Sequence, residues 1–409
     1  MHFVIVSYVF PPSNEIGGRR WAKFSQEIST KGHKVTVVST REKVDASWYK
    51  NNFSPIKFKL ISKNYPEWLT GYTKNFLQKI FYKLYTKVYS PFLKENLFDK
   101  GYAWKSQMFK ALEETEASEP IDVLIVTGAP FSLLYYGAEF KKLHPKIYLI
   151  SDFRDPWTWG SYYGFPNLSE KKKRFQTLCE NETIKVSDVV TFPTAHMGNF
   201  LKSMYPKENS KFYLLPHAFE PNKFAVHDFS QKRIGFIYGG SLYPGIDGYL
   251  KRLSAIVKSN PNEEFIWDIF TGTKYPLIDE NFANGKVKMH GFIPEVDLFQ
   301  KINAAAAYLV FFPETDKDLI STKFFEIIFA QTPILYIGEE GDVAKFIREN
   351  KCGIHILPKN MELELPKYLN ANVPFEPGYF DVTKYTFENV TNEFLQHINF
   401  IKKIKGPNN

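Results

Sequence analysis

Two carboxylates, Asp318 and Glu326, lie eight residues apart in the sequence, and three residues with hydroxyl or amino groups lie between them. These three are Ser321, Thr322 and Lys323. An ionised carboxylate accepts hydrogen bonds from adjacent hydroxyls, while a cation beside the backbone N–H groups of a helix N-terminus attracts anions. The spacing therefore predicts a site for a ligand that carries both hydroxyl and phosphate groups. An ordinary helix with a solvated acid in its first turn remains the alternative.

Two further groups of residues are of types that often bind ligands or take part in catalysis. Gly17 and Gly18 precede two arginines at the start of a predicted helix, and glycine lets the backbone approach an anion closely. Their spacing is not G-x-G-x-x-G, which disfavours a dinucleotide-binding dehydrogenase. Farther along, Arg154 and Asp155 lie between aromatic residues after a short predicted strand. Charges in such a position are usually paired or used in function, so a structural Asp–Arg network remains open.

The elements that must position these residues follow from the apolar pattern. Short apolar runs alternate with helical spacing twice along the chain, which predicts two α/β arrays with parallel sheets. The predicted strands are 3–8, 34–39, 123–127, 148–152 and 189–193 in the first array and 233–238, 265–271, 287–290, 307–312 and 332–337 in the second.

A chain of 409 residues exceeds what one hydrophobic core usually organises. We expect one Rossmann-like domain at 1–215 and a second at 216–382, with a C-terminal helix at 383–405 that packs back on the first. In doubly wound domains, ligands bind beyond the carboxyl ends of the strands. The sequence therefore predicts an α/β protein with two doubly wound domains that face an interdomain cleft.

At this level the chain resembles the GT-B glycosyltransferases, and family 4 of bacterial surface-polysaccharide and lipopolysaccharide synthesis in particular. The resemblance covers nearly the whole length and rests on the order and spacing of its motifs. These are FVIVSYVFPPSNEIGGRR, KGHKVTVVST, SDFRDPW and LLPHAF in the first half, then FIYGGSLY, KMHGFIPEV and STKFFEIIFAQTPIL. The resemblance implies a GT-B fold and transfer of a sugar from a nucleotide donor, with retention at the anomeric carbon. It also implies that neither a metal nor a cofactor is required.

The resemblance also assigns roles to residues. Glu326 corresponds to the acid that binds the nucleotide ribose, and Asp318 lies nearer the donor sugar in place of a glutamate. The family has an Arg in its G-R-L turn and a Lys six residues later. Here Ser241 and Asp247 occupy those places, which shifts the diphosphate onto Lys323 and backbone amides or onto another basic residue. Arg154 stands where the family has a catalytic loop with a histidine. The expected donor-binding residues are Gly17, Gly18, Gly240, Ser241, Phe292, Ile293, Ser321, Thr322, Lys323 and Glu326, and the expected catalytic residues are Arg154, Asp155 and Asp318.

The segment 41–110 carries the basic charge of the chain. It holds 14 Lys and Arg against 5 Asp and Glu, together with 17 aromatic residues. Within 73–90, apolar residues recur every four positions, and the lysines Lys74, Lys79, Lys83 and Lys87 occupy other faces. A basic amphipathic helix of this kind binds the interface of an anionic membrane, while a core-packed helix with a solvated lysine face is the alternative. No nucleic-acid recognition motif accompanies the segment, so we expect no nucleic acid partner.

The remaining features bound the location and the reaction. Two cysteines exclude a disulfide framework, no cleavable signal opens the chain, and no apolar window reaches about 18 residues. We therefore expect a cytoplasmic protein on the inner face of the plasma membrane. It should use a UDP-linked donor and a lipid-linked or saccharide acceptor. A GT-B-fold nucleotide-sugar epimerase and a non-catalytic nucleotide-sugar-binding protein remain the alternatives.

Overall fold

The computed structural model describes most of the chain. The described residues are 1–13, 16–44, 46–63, 65, 69, 76–89, 96–160, 162–221, 235–242, 246–262, 264–272, 286–312, 314, 317–318, 320–369, 373–376 and 378–405. The chain divides into two compact units. The first unit consists of Met1–Pro216 and Thr391–Asn409, and the second is His217–Val390.

The first unit is built on a seven-stranded sheet whose order is β3-β2-β1-β4-β5-β6-β7, with every neighbouring pair parallel. Its strands are β1 (His2–Val6), β2 (Lys34–Thr40), β3 (Lys57–Ile61), β4 (Val123–Gly128), β5 (Tyr148–Phe153), β6 (Val189–Phe192) and β7 (Phe212–Leu214). Every residue of β1, β4, β5 and β6 is buried. Burial on both faces explains why these strands are continuous apolar runs rather than alternating ones.

The helices of the first unit follow its strands in an α/β sequence. They are α1 (Ile16–Thr30), α2 (Ala46–Phe53), α3 (Phe76–Leu84), α4 (Lys105–Ser118), α5 (Ser132–Leu143), α6 (Glu170–Val186) and α7 (Ala195–Met204). Trp21 of α1 and Phe140 of α5 are fully buried. These large side chains fill the space between helices and sheet and so contribute strongly to the hydrophobic stabilisation of this unit.

The second unit repeats this architecture with six parallel strands in the order β10-β9-β8-β11-β12-β13. They are β8 (Phe236–Gly239), β9 (Trp267–Phe270), β10 (Val287–His290), β11 (Ala307–Phe311), β12 (Ile334–Ile337) and β13 (Gly353–Ile356). The order reverses between β8 and β11, as it does between β1 and β4 in the first unit. Such reversal points are where doubly wound sheets bind ligands.

The helices of the second unit surround this sheet, and the last helix is shared between the units. They are α8 (Asp247–Ser259), α9 (Glu295–Ala304), α10 (Thr322–Phe329), α11 (Asp342–Glu349), α12 (Met361–Glu364), α13 (Pro366–Leu369) and α14 (Phe387–Lys405). From Thr391 onward, α14 belongs to the first unit, where Phe394 packs against Trp21 at 6.4 Å between ring centroids.

The prediction of two parallel α/β sheets is confirmed, and each predicted strand overlaps an observed one. The three strands that the sequence pattern missed are β3, β7 and β13, each of which lies at an edge of its sheet. Edge strands have a solvent-exposed side, so their residues need not form an apolar run. The sequence of β3, KFKLI, is an example. None of the helices among the described residues has the length and apolar character that a membrane span requires.

Candidate functional site

The candidate site in the second unit centres on the start of α10. Ser321 caps this helix, because its side-chain oxygen accepts a hydrogen bond from the backbone N–H of Lys323 at 3.1 Å. The ammonium group of Lys323 donates to the carbonyl oxygen of Gly239 at 2.6 Å, and Gly239 is the last residue of β8. The cation and the helix N-terminus therefore lie at the carboxyl end of β8, where the strand order reverses.

Gly240 shows why this turn contains a glycine. Its φ angle of +154° is rarely adopted by other residues, and a Cβ atom at this position would collide with the ammonium group of Lys323. Its backbone N–H donates to the carbonyl oxygen of Phe270 at 2.9 Å, which holds the turn against the neighbouring strand β9. The close approach of the lysine thus depends on the missing side chain.

Tyr308 of β11 completes the contacts of this strand end. Its hydroxyl donates to the carbonyl oxygen of Gly239 at 2.6 Å and accepts from the N–H of Gly239 at 2.9 Å. Burial raises the pKa of Tyr308, and the charge of Glu326 adds to this shift, so the hydroxyl stays protonated. Sequence reasoning missed Tyr308, although a tyrosine within an apolar strand signals a hydroxyl that needs a buried partner.

At the start of α10, the positive charge of Lys323 and the negative charge of Glu326 act on each other. Lys323 is exposed along part of its length, but its ammonium end lies against protein, and this burial lowers the pKa of Lys323. The half-buried Glu326, three residues later on α10, opposes that shift through its negative charge. A bound anion would restore the preference of Lys323 for its charged form, so this lysine is suited to an anionic ligand.

The other predicted residues of the second unit occupy varied environments. Asp318 accepts a hydrogen bond from the N–H of Asp342 at 2.8 Å and so helps to fix the start of α11. Ser241 is exposed, and its carbonyl oxygen accepts from the Tyr238 hydroxyl at 2.7 Å. Thr322 is the first residue of α10 and is half-buried. The structure thus gives Asp318 a structural contact in addition to any role towards a ligand.

The predicted nucleobase loop follows β10. Phe292 is 82% exposed, whereas Ile293 packs against the hydrophobic core of the unit. An aromatic ring this exposed gains little from folding, because its apolar surface stays in water. Phe292 is therefore available to stack on a planar ligand group.

In the first unit, the structure brings three predicted residues together after β1 and β5. The guanidinium of Arg154 lies so close to Gly17 that a Cβ atom there would overlap it. Arg154 also donates from Nε to Asp155 Oδ2 at 3.3 Å, and both side chains are partly exposed. Gly18 is buried, with the backbone of Val9 and Phe10 against it. Gly17, Arg154 and Asp155 therefore form one cluster at the start of α1.

A buried aspartate fixes the strand that carries this cluster. Asp152 is fully buried at the end of β5 and accepts three hydrogen bonds. The donors are Trp21 Nε1 at 2.6 Å, Thr127 Oγ1 at 2.9 Å and Thr191 Oγ1 at 2.7 Å. These bonds join α1 to three adjacent strands, because the donors and Asp152 belong to α1, β4, β6 and β5. Asp152 thus has a structural role in this motif, while Arg154 and Asp155 pair with each other just beyond it, so the alternative of a structural Asp–Arg pair stays open.

Arg20 has a structural environment that separates it from Arg154. It is buried, and its guanidinium donates to the carbonyl oxygens of Pro216 at 2.8 Å and Leu215 at 2.6 Å. Burial lowers the pKa of Arg20, and the charge of Asp152 opposes the shift. Arg20 therefore anchors the segment at 215–216 to α1.

The loop that follows Asp155 is held by α6. Trp157 donates from Nε1 to Gln176 Oε1 at 2.9 Å, and the N–H of Thr158 donates to Glu180 Oε2 at 2.8 Å. Burial raises the pKa of Glu180. Hydrogen bonds from Tyr205 and Thr158 act in the opposite direction and lower this pKa. These contacts fix the direction in which the chain leaves Arg154 and Asp155.

The predicted membrane lysines lie on an exposed helix. Lys79 and Lys83 belong to α3 and Lys87 to the π-helical turn Tyr85–Tyr89, and all three are exposed. Lys74 lies outside the described residues. The alternative of a core-packed helix is wrong, because no described side chain of α3 is buried.

Comparison with known proteins places the fold. No protein-family model and no curated protein sequence matches the chain. Among solved structures, it is similar to the N-terminal domain of trehalose-6-phosphate phosphatase from Candida albicans, with a TM-score of 0.65, 12% identity and coverage of 98% and 97% of the two chains. It is also similar to a glycosyltransferase from Rickettsia africae, with a TM-score of 0.59, 12% identity and coverage of 98% of both chains. A third similar structure is the lipopolysaccharide outer core galactosyltransferase WaaB, with a TM-score of 0.58, 14% identity and coverage of 98% and 99% of the two chains.

Two other similar structures bear on ligands. One is Anabaena HepE in complex with UDP and glucose, with a TM-score of 0.56, 10% identity and coverage of 97% and 99%. The other is a protein from Listeria monocytogenes assigned as a UDP-N-acetylglucosamine 2-epimerase, with a TM-score of 0.50, 12% identity and coverage of 97% and 95%. At these identities the likeness concerns the fold. Together with the two parallel sheets and their strand orders, it shows that the chain has the α/β GT-B fold.

Proposed function

We propose that this protein is a glycosyltransferase that moves a sugar from a UDP-linked donor to an acceptor hydroxyl. The observation that carries this proposal is the position of Lys323, whose ammonium group lies at the helix N-terminus and at the reversal point of the second sheet. The similarity of the chain's fold to that of glycosyltransferases, and to that of a structure that holds UDP and glucose, supports the same conclusion. We assign the donor to the second unit and the acceptor to the first.

In this proposal Lys323 and the N–H groups at the start of α10 bind the diphosphate. An ammonium group has three donors, and one of them is used by Gly239, so two can serve phosphate oxygens. Glu326 accepts from the ribose hydroxyls, Gly240 and Ser241 let the backbone approach the phosphates, and Phe292 and Ile293 contact the base. Because protein groups would neutralise the leaving diphosphate, the reaction would need neither a metal nor a cofactor.

The sugar transfer itself would proceed with retention at the anomeric carbon. The bond from that carbon to the diphosphate oxygen breaks, the bond to the acceptor oxygen forms on the same face, and the leaving oxygen takes the acceptor proton. Arg154 would hold the donor or the acceptor, and Asp155 would orient the acceptor hydroxyl. Asp318 would lie near the donor sugar. The catalytic contribution would come from positioning and from stabilisation of the leaving charge.

The acceptor in this proposal is a lipid-linked or saccharide precursor of a cell-surface polysaccharide such as lipopolysaccharide or capsule. The likeness to a lipopolysaccharide galactosyltransferase and the exposed lysines of α3 support it. We place the protein at the cytoplasmic face of the plasma membrane, where anionic lipids attract basic segments.

An epimerase that acts on the nucleotide sugar itself is the second candidate, because a structure assigned as such an enzyme shares the fold. Incubation with a panel of UDP-sugars, with and without a lipid-linked saccharide, separates the candidates. Transfer to the acceptor supports the proposal. Isomerisation of the donor without transfer favours the epimerase, and binding by calorimetry without turnover favours a non-catalytic binding protein.

A further inference from the structure

The helix α3 presents its apolar residues to solvent. Phe76 is 77% exposed and Leu77 67%, and Ile80, Phe81 and Leu84 are each about half exposed or more. At about 100° per residue, these five side chains cover one arc of about 140° on the helix. An amphipathic helix of a globular protein normally turns such an arc towards the core. In α3 the arrangement is reversed.

The side of the helix that faces the protein is the polar aromatic one. Tyr82 and Tyr85 are half-buried, and the Tyr85 hydroxyl lies 3.0 Å from the hydroxyl of Tyr102. Val88, in the following turn, continues the exposed apolar arc. The outward direction of the apolar arc is therefore fixed by contacts on the opposite side.

The charges around the arc all have one sign. Lys79 and Lys83 lie beside one edge of the arc, Lys87 follows in the next turn, and the stretch 76–89 contains no Asp or Glu. Exposed apolar patches mark interaction sites, and an apolar arc with a lysine margin is complementary to a surface that is apolar inside and anionic outside. An anionic lipid bilayer has this composition.

We propose that α3 and the turn after it insert their apolar arc into the interface of an anionic membrane, with the three lysines at the level of the phosphate headgroups. The apolar side chains would enter the boundary between headgroups and acyl chains, where they leave water. The inference rests on the proposed function only for the cellular location. Membrane binding itself requires neither donor nor acceptor.

The test is co-sedimentation of the full chain with vesicles of phosphatidylcholine alone and of phosphatidylcholine with phosphatidylglycerol. We expect binding to the anionic vesicles that weakens with salt. The triple change Lys79→Gln, Lys83→Gln and Lys87→Gln should lower the partition coefficient on the order of 100-fold, since each lysine contributes about fivefold. The double change Phe76→Ser and Phe81→Ser should lower it at least tenfold at any salt concentration.

Matched controls come from the same unit. Lys146, Lys171 and Lys202 are exposed lysines outside α3, and Leu143 and Leu178 are exposed leucines of α5 and α6. Changing these three lysines to Gln, or these two leucines to Ser, should leave vesicle binding unaltered. Equal losses in the controls, or no vesicle binding by the unaltered chain, would overturn the proposal. A dimer in sedimentation velocity that disappears on Phe76→Ser and Phe81→Ser would instead assign the arc to a second copy.

Because the vesicle assay contains no nucleotide sugar, its failure is distinguishable from a failure of the transferase assignment. Calorimetry with UDP on the same variants provides the second readout. The variants should retain the UDP affinity of the unaltered chain, which also shows that they are folded.

Discussion

The ammonium nitrogen of Lys323 lies 2.6 Å from the carbonyl oxygen of Gly239, so the first turn of α10 is joined to the end of β8. The two residues are 84 positions apart in the sequence. Their contact brings a cation, a helix N-terminus and a glycine turn to the reversal point of one sheet. These groups of the second unit form the proposed anion site, which binding measurements with UDP can test.

Replacement of Lys323 by Gln should weaken UDP binding by about 10- to 100-fold, because hydrogen bonds to charged groups contribute about 1.5–3 kcal/mol. Calorimetry on the purified variant measures this loss. Lys359→Gln, a change at an exposed lysine of the same unit, is the control and should bind UDP normally. Equal affinities for the two variants would remove Lys323 from the site.

The pH dependence of UDP binding should report the same lysine. Burial lowers the pKa of Lys323 below the ordinary 10.5, so the group loses its charge at a lower pH than an exposed lysine does. We expect the affinity for UDP to fall as pH rises through that lowered value, since the phosphates are already fully ionised well below it. Lys323→Arg should retain affinity over the same range, because a guanidinium stays protonated. An identical fall in this variant would assign the pH dependence to another group.

Replacement of Glu326 by Ala should remove most UDP affinity and leave the fold intact. Glu326 is half-buried on α10 and acts electrostatically on Lys323 and Tyr308. A carboxylate that accepts from two ribose hydroxyls contributes charge-assisted bonds, so about a 10- to 100-fold loss is expected. Uridine diphosphate lacking the 2′-hydroxyl should lose affinity with the unaltered chain but not with Glu326→Ala. Unchanged UDP binding by the variant would contradict the assignment.

A methyl group at Gly17 should impair turnover by displacing Arg154. The Cβ atom of Gly17→Ala would overlap the guanidinium, which is the flexible end of a side chain and can move. We expect a loss of transfer rate of at least tenfold, comparable to that of Arg154→Ala, with folding retained. The control is Gly248→Ala, because a Cβ atom there meets nothing within 4 Å. A fully active Gly17→Ala beside an inactive Arg154→Ala would show that the observed position of Arg154 is dispensable.

The two aspartates of the same motif should separate stability from activity. Asp152→Ala leaves three buried donors without their acceptor and should lower the free energy of unfolding by about 3 kcal/mol or more. Asp155→Asn changes a partly exposed pair and should alter stability by less than about 1 kcal/mol while it lowers the transfer rate. Urea unfolding followed by tryptophan fluorescence, together with the transfer assay, measures both effects. An Asp155→Asn variant with full activity would argue for a purely structural pair.

Local patterns in the sequence were sufficient to predict most strands of both sheets. Strands such as β1 and β4 are continuous apolar runs because both of their faces are buried. A run of consecutive apolar residues can be recognised from the sequence alone. The glycines at 17 and 240 were also recognisable as points of close approach, since glycine after a strand signals a turn that other residues do not fit. The edge strands β3, β7 and β13 were not recognisable, because their residues are largely exposed or half-buried and form no continuous apolar run, whereas the edge strand β10 was predicted.

The contacts of the site required the tertiary structure. Tyr308 and Gly239 meet because β8 and β11 are neighbours in the sheet, and no local pattern states which strands pair. In the same way, Asp318 was predicted from its spacing to Glu326, but its bond to the N–H of Asp342 depends on where α11 begins.

The α/β class, the alternation of strands and helices and the positions of the glycine turns could be derived from the sequence, because these features depend on preferences of residues near one another in the chain. The amphipathic character of 76–88 belongs to the same group. The solvent-facing direction of the apolar arc of α3 and the contact of Lys323 with β8 became apparent from the three-dimensional packing. The spacing of apolar residues shows that a helix has an apolar and a polar face, whereas the packing of the rest of the chain determines which face is covered.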